Sequence, residues 1–74
     1  MITLQQYIEK KGITTQKFSN ITGVSYSYLA KIKRVENPHT TIDVIVKIFN
    51  GTKAEFGEGL TAREWLDLPN AFTK

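Results

Sequence analysis

TTQKFSNITGVSYSYLAKIKR, residues Thr14 to Arg34, is the stretch whose reading decides the fold. It divides into two short helices around a tight turn. Thr14 caps the first, because a threonine hydroxyl accepts a backbone N–H left unpaired in the opening helical turn. The run Thr15–Thr22 carries Phe18 and Ile21 three apart, on one helical face. Gly23 ends it, since glycine enters the left-handed region at low cost, and Val24 follows as a buried plug. Ser25 caps the second helix, Tyr26–Val35, which turns Leu29 and Ile32 inward. Tyr26, Ser27, Lys31 and Arg34 are left on or near its outer face. Phe18, Val24, Leu29 and Ile32 would pin the two helices at a steep angle, and Ser19 is small enough to let them approach closely.

This is the spacing of a helix-turn-helix over residues 14–35. On Thr14, Phe18-Ser19, Gly23-Val24-Ser25, Leu29 and Ile32, the segment Gly12–Arg34 resembles the phage-repressor-type (lambda-repressor/Cro-like) helix-turn-helix family. That family's pattern is a threonine cap, a leucine-small pair, Gly-Val-Ser and then a spaced Leu and Ile. Asn37–Phe49, NPHTTIDVIVKIF, resembles the family's following loop and helix, so the likeness spans about half the chain. Ser19 stands where alanine is usual, Ile21 where the family tends to be polar and Thr22 where it is often apolar. Lys33 replaces a glutamate often found there and makes the face more basic.

The resemblance implies an all-α fold: a small five-helix lambda-repressor-like DNA-binding domain with its motif at helices 2 and 3. It also implies a sequence-specific transcriptional regulator, a repressor acting by operator occlusion in a phage, plasmid or mobile element. In that family the second motif helix enters the major groove. By match to it, Tyr26, Ser27 and Lys31, with Tyr28 as a further candidate, face base edges. Lys31 can donate to guanine O6 or N7, and the Tyr26 ring can meet a thymine methyl. Thr14, Thr15, Gln16 and Lys17 start helix 2, where free N–H groups favour a phosphate. Arg34, Asn37, His39 and Thr40 lie at the other edge of the groove. The partner implied is double-stranded DNA carrying a palindromic operator, bound by a homodimer, with no small-molecule effector. An antitoxin of a toxin–antitoxin pair uses the same module, and a protein-interaction module on this fold is a reading of another class.

Composition bounds these readings. Seventy-four residues make one domain, 1–74, and 41% apolar content is ordinary for a folded chain. With no cysteine there is no disulfide framework and no thiolate metal site. No run is long and apolar enough to span a membrane, and no signal segment opens the chain, so a cytoplasmic, nucleoid-associated protein is expected. The formal charge is +3, and it is unevenly spread. Residues 1–36 hold six cations against two carboxylates, and residues 37–74 hold four against five. The half with the motif is the basic one, which suits an anionic partner.

In chain order, residues 3–11 read as helix 1, with Thr3 as cap, Leu4, Tyr7 and Ile8 inward, and Gly12 closing it. Ile13 packs under the next helix. Asn37-Pro38 marks a turn. Thr40 or Thr41 then caps helix 4, whose Ile42, Ile45, Val46 and Phe49 form an i, i+3, i+4, i+7 stripe. Gly51 is expected to end that helix near Asn50, before one isolated turn at Lys53–Phe56. Thr61 caps a last helix, Ala62–Leu68, with Glu64 placed for a capping box and Pro69 as its stop. Asn70–Lys74 is a tail.

Chemistry beyond this has little to stand on. His39 is the only histidine, so no metal or cofactor site is expected. Glu55 and Glu58 flank a glycine-rich turn rather than facing each other, and no enzyme is expected. For pairing, the acidic half offers Phe56, Leu60, Trp65 and Leu68, extended by Pro69 and Phe72; the plainer reading is that these side chains close the core.

Overall fold

Five short polar caps set where the backbone turns helical. In the computed structural model, whose described residues are 2–66, the helices are α1 (Leu4–Lys10), α2 (Thr15–Thr22), α3 (Tyr26–Ile32), α4 (Ile42–Phe56) and α5 (Ala62–Trp65). There is no strand among the described residues, and no helix there is long and apolar enough to cross a membrane. The expectations for Leu68, Pro69, Phe72 and the tail 70–74 lie outside the described residues.

The Thr3 hydroxyl accepts the Gln6 N–H at 3.1 Å while the Gln6 side chain accepts the Thr3 N–H at 2.9 Å, a reciprocal capping box. Thr14, Ser25 and Thr41 accept the N–H groups of Lys17, Tyr28 and Val44 at 3.0, 3.2 and 3.3 Å. Each such cap contributes about 1 kcal/mol. At α5 the Glu64 carboxylate accepts from both the Thr61 N–H and its hydroxyl, at 2.8 and 3.0 Å.

The α2–α3 corner is held by small polar side chains around a left-handed glycine. Gly23 sits at φ 77° and donates its N–H to Ser19 O at 2.9 Å. Ser19 Oγ donates to Val24 O at 2.7 Å, so its hydroxyl adds a bond that alanine could not. Thr22 Oγ1 donates to Phe18 O at 2.7 Å and accepts the Val24 N–H at 3.3 Å, which satisfies a buried threonine at an often apolar position. Phe18, Val24, Leu29 and Ile32 are all buried around this corner.

Helix α3 stops at Ile32, three residues before the Val35 end expected from sequence. The carbonyl of Lys33, just past it, accepts the Gln5 N–H from α1 at 2.8 Å. Beyond that, Asn37 takes φ 50° and Pro38 is buried, and a residue before proline is disfavoured in the helical region.

Helix α4 corrects two expectations. It runs through Gly51 to Phe56 and is closed by Gly57 at φ 83°, so the turn at 53–56 belongs to it. Gly51 is there for contact: a Cβ on it would meet Ile21 O at 2.3 Å and Thr22 Cα at 2.6 Å, so α4 lies directly on the α2 backbone. The buried stripe is Ile45, Ile48, Gly51 and Thr52, while Ile42 (61% exposed) and Val46 (48%) face outward. The β-branched run offers apolar side chains on several faces, and the contact with α2 selects the one that contains the glycine.

The C-terminal segment closes the core. Leu60, Trp65 and Leu66 are buried in the same cluster as Leu4, Ile8 and Phe18, with Phe56 packed against it. Phe56, Leu60 and Trp65 therefore do not form an open pairing surface: their apolar area is spent inside one chain. Ile2 N–H donates to Glu64 O at 2.8 Å and ties the start of the chain to α5. Tyr7 meets Phe18 and Phe56 edge-on, with ring centroids 5.9 and 6.3 Å away. Burial raises the Tyr7 phenol above its ordinary pKa, against the lowering effect of hydrogen bonding with Thr52.

Thr52 links α4 to the loop before α5. Its hydroxyl donates to Ile48 O at 2.7 Å and accepts the buried Leu60 N–H at 2.7 Å. Thr52→Val keeps the shape and strands that N–H. It should lower the unfolding free energy by about 1–3 kcal/mol in urea titrations; an unchanged midpoint would show that the loop does not depend on this bond.

Candidate nucleic-acid interface

The outward face of α3 follows from what its inner face must do. Leu29 and Ile32 anchor the helix, so positions 26, 27, 30 and 31 emerge on the opposite side, and all four are exposed. Tyr26 is 47% exposed although aromatic. The side chains of Ser27 and Lys31 have no hydrogen-bond or ion-pair partner among the described residues. Ala30 shares this face and was not singled out from sequence; its methyl group can meet a thymine methyl. The helical spacing of 26, 27 and 31 was the available signal for it.

Tyr28 lies off this face. Its ring is half-buried against the core, and its hydroxyl donates to Thr40 Oγ1 at 2.9 Å, with a longer contact to His39 O at 3.4 Å. The structure thus makes it a tie between α3 and the loop before α4. Thr41 takes the α4 cap, which leaves the Thr40 hydroxyl for Tyr28.

The residues expected near phosphates fall into two groups. At the start of α2, Thr14 and Gln16 are exposed and Thr15 is half-buried. Thr14 caps the helix, and Gln16 donates to Asn20 at 3.0 Å. Lys17 pairs with Glu55 of α4 at 3.4 Å, so part of its charge is already offset. Lys33, a basic departure from the family pattern beside Lys31 and Arg34, donates from Nζ to Thr15 Oγ1 at 3.0 Å. It carries a cation from the end of α3 to the start of α2, a contact eighteen residues apart that local spacing cannot show. Around the end of α3, Arg34, Asn37 and His39 are exposed. Lys31, Lys33 and Arg34 therefore concentrate positive charge at the C-terminal end of α3.

No group of three or more His, Cys, Asp or Glu side chains among the described residues is placed to hold a metal ion. A cleft of about 120 Å³ lies between α1 and the segment 58–64, lined by Lys10, Lys11, Glu58 and Glu64 among others. No residue of α2 or α3 lines it, and it is smaller than the roughly 300–1,000 Å³ of sites that enclose a drug-sized ligand.

The chain matches no family model, and neither the curated proteins nor the solved structures contain a match to it.

Proposed function

We propose that this chain is a sequence-specific DNA-binding regulator of the phage-repressor type, with α2 and α3 as its helix-turn-helix, acting by covering the duplex it binds. The observation that carries the reading is the outward face of α3. Tyr26, Ser27, Ala30 and Lys31 stand exposed on a helix anchored from behind, with Lys33 and Arg34 at its end. An α-helix fits the major groove, and these side chains offer a donor, a hydroxyl and two apolar groups to base edges. The free N–H groups at the start of α2, with Thr14, Thr15 and Gln16, would hold one phosphate; Arg34, His39 and the Asn37 region would hold another across the groove. Tyr28 then acts by fixing the loop that carries His39 and Thr40. A domain of this size reaches one half-site, so a palindromic operator and two copies of the chain complete the reading.

Titrations of labelled duplex at several salt concentrations test it. Lys31→Ala should weaken a preferred site by about 1–3 kcal/mol and relax the base preference at one position. Lys33→Gln and Arg34→Gln should weaken all sequences alike and flatten the salt slope by about one unit each. Lys17→Gln should flatten it less, because Glu55 already offsets that charge. Salt slopes equal to the parent's in both Lys33→Gln and Arg34→Gln would remove DNA from the account.

A further inference from the structure

We infer that Asn50-Gly51 is a latent deamidation site, closed while α4 lies on α2 and open when the two separate, and that its isoaspartyl product cannot refold. A backbone nitrogen can attack the side-chain amide of the asparagine before it. The attack is fastest when the attacking residue is glycine, which has no side chain to obstruct it. Among the asparagines, Asn37 precedes Pro38, which has no N–H to lose. Asn20 precedes the β-branched Ile21, and Asn70 precedes Ala71. Only Asn50 precedes a glycine, and it is exposed to water. The inference stands apart from DNA binding: it concerns how long the chain keeps its fold.

The step balances with water as the only co-reactant. Gly51 N bonds to Asn50 Cγ, the side-chain nitrogen leaves as ammonia with the Gly51 amide proton, and a succinimide ring closes. Water then opens the ring at either carbonyl, giving aspartate or isoaspartate. The fold blocks the first step twice. Inside α4 the Gly51 N–H belongs to the helical ladder, bonded four residues back. Ring closure also needs Asn50 Cβ and Gly51 N nearly eclipsed about the Cα–C bond, and a helical ψ of about −42° holds them far from it. Gly51 is buried against the Ile21 and Thr22 backbone, so freeing it means lifting α4 from α2. The isoaspartyl product routes the main chain through the side-chain carbon and adds one methylene between residues 50 and 51. That moves Gly51 off its seat against Ile21 and takes the Thr52 hydroxyl away from the Leu60 N–H. Each separation of the two helices therefore carries a chance of irreversible loss.

Ageing the intact chain in warm, mildly alkaline buffer, with and without unfolding urea, tests this. The readouts are mass spectrometry of the tryptic peptide Ile48–Lys53 and enzymatic methylation of isoaspartate. Without urea the peptide should keep its asparagine; in urea it should be the main site of isoaspartate. Trp65→Ala, which opens the core without touching the pair, should raise the urea-free rate roughly tenfold or more. Once urea is removed, the isoaspartyl fraction should stay unfolded by circular dichroism, whereas Asn50→Gln aged in the same way should refold with the parent's Tm. Equal rates with and without urea, or a Trp65→Ala chain that reacts no faster than the parent, would overturn the shielding by α4 and α2. Another asparagine reacting first in urea would overturn the site. An isoaspartyl chain that refolds, or an Asn50→Gln chain that loses refolding as fast as the parent, would overturn the claim about the product.

Discussion

Gly51→Ala should destabilise the protein by about 1–3 kcal/mol or more, the range for forcing an extra methyl group into a packed site. The sign is the informative part. In an ordinary helix interior the same change stabilises by roughly 0.5–1 kcal/mol, because alanine has less backbone freedom to lose on folding. Here the added carbon would stand 2.3 Å from Ile21 O, 2.6 Å from Thr22 Cα and 2.8 Å from Ile21 C. All three are backbone atoms, so no side chain can rotate away, and α4 must separate from α2. That separation would loosen Phe18 and Ile48, which are fully buried in the core, and tilt the helix that carries the α3 corner. Urea unfolding followed by circular dichroism measures the change. A higher midpoint for Gly51→Ala would show that the two helices do not meet as described.

Trp65→Ala should have the larger effect, about 3–5 kcal/mol. Trp65 is fully buried, although it sits on a helix of only four residues, Ala62–Trp65. Removing it empties the largest side-chain volume in the core and unseats Leu60 and Leu66 beside it. A domain of this length has roughly 4–10 kcal/mol of stability in all, so much of the variant population should be unfolded at 37 °C. The prediction also separates two roles. A tryptophan at a pairing surface would, on removal, lower association and leave the monomer's Tm in place. A tryptophan in the core lowers Tm at every concentration, and near-ultraviolet circular dichroism should lose its fixed-aromatic signal. An unchanged Tm in Trp65→Ala would contradict the burial of this side chain.

The helix starts were legible in the sequence because capping needs a particular chemistry at a particular place. Thr3, Thr14, Ser25 and Thr61 each precede a helix as expected, and the two candidates Thr40 and Thr41 were separable only once Tyr28 was seen to hold one of them. Phe18, Val24, Leu29 and Ile32 were legible as core by spacing alone. Gly51 was not, because a glycine reads equally as a helix stop or as a close approach, and only the element packed on it decides. The phase of α4 was hidden for a related reason: Ile42, Val44, Ile45, Val46 and Ile48 spread apolar side chains around much of the helix, and the buried stripe includes a glycine and a threonine. At the proposed interface, Tyr26, Ser27 and Lys31 could be placed together by the period of one helix. The tie of Lys33 to Thr15, the pairing of Lys17 with Glu55 and the turning of Tyr28 toward Thr40 all join different elements, and a single sequence does not report such contacts.

The central claim is that α3 reads DNA, and selection of bound duplexes from a random pool tests it most directly. One sequence with two-fold symmetry, its half-sites about one helical turn apart, should be enriched. Lys31→Ala, taken through the same selection, should lose preference at a single position in each half-site. A bound pool with the base composition of the input, at a salt concentration where the protein still shifts duplex, would contradict sequence reading by this helix.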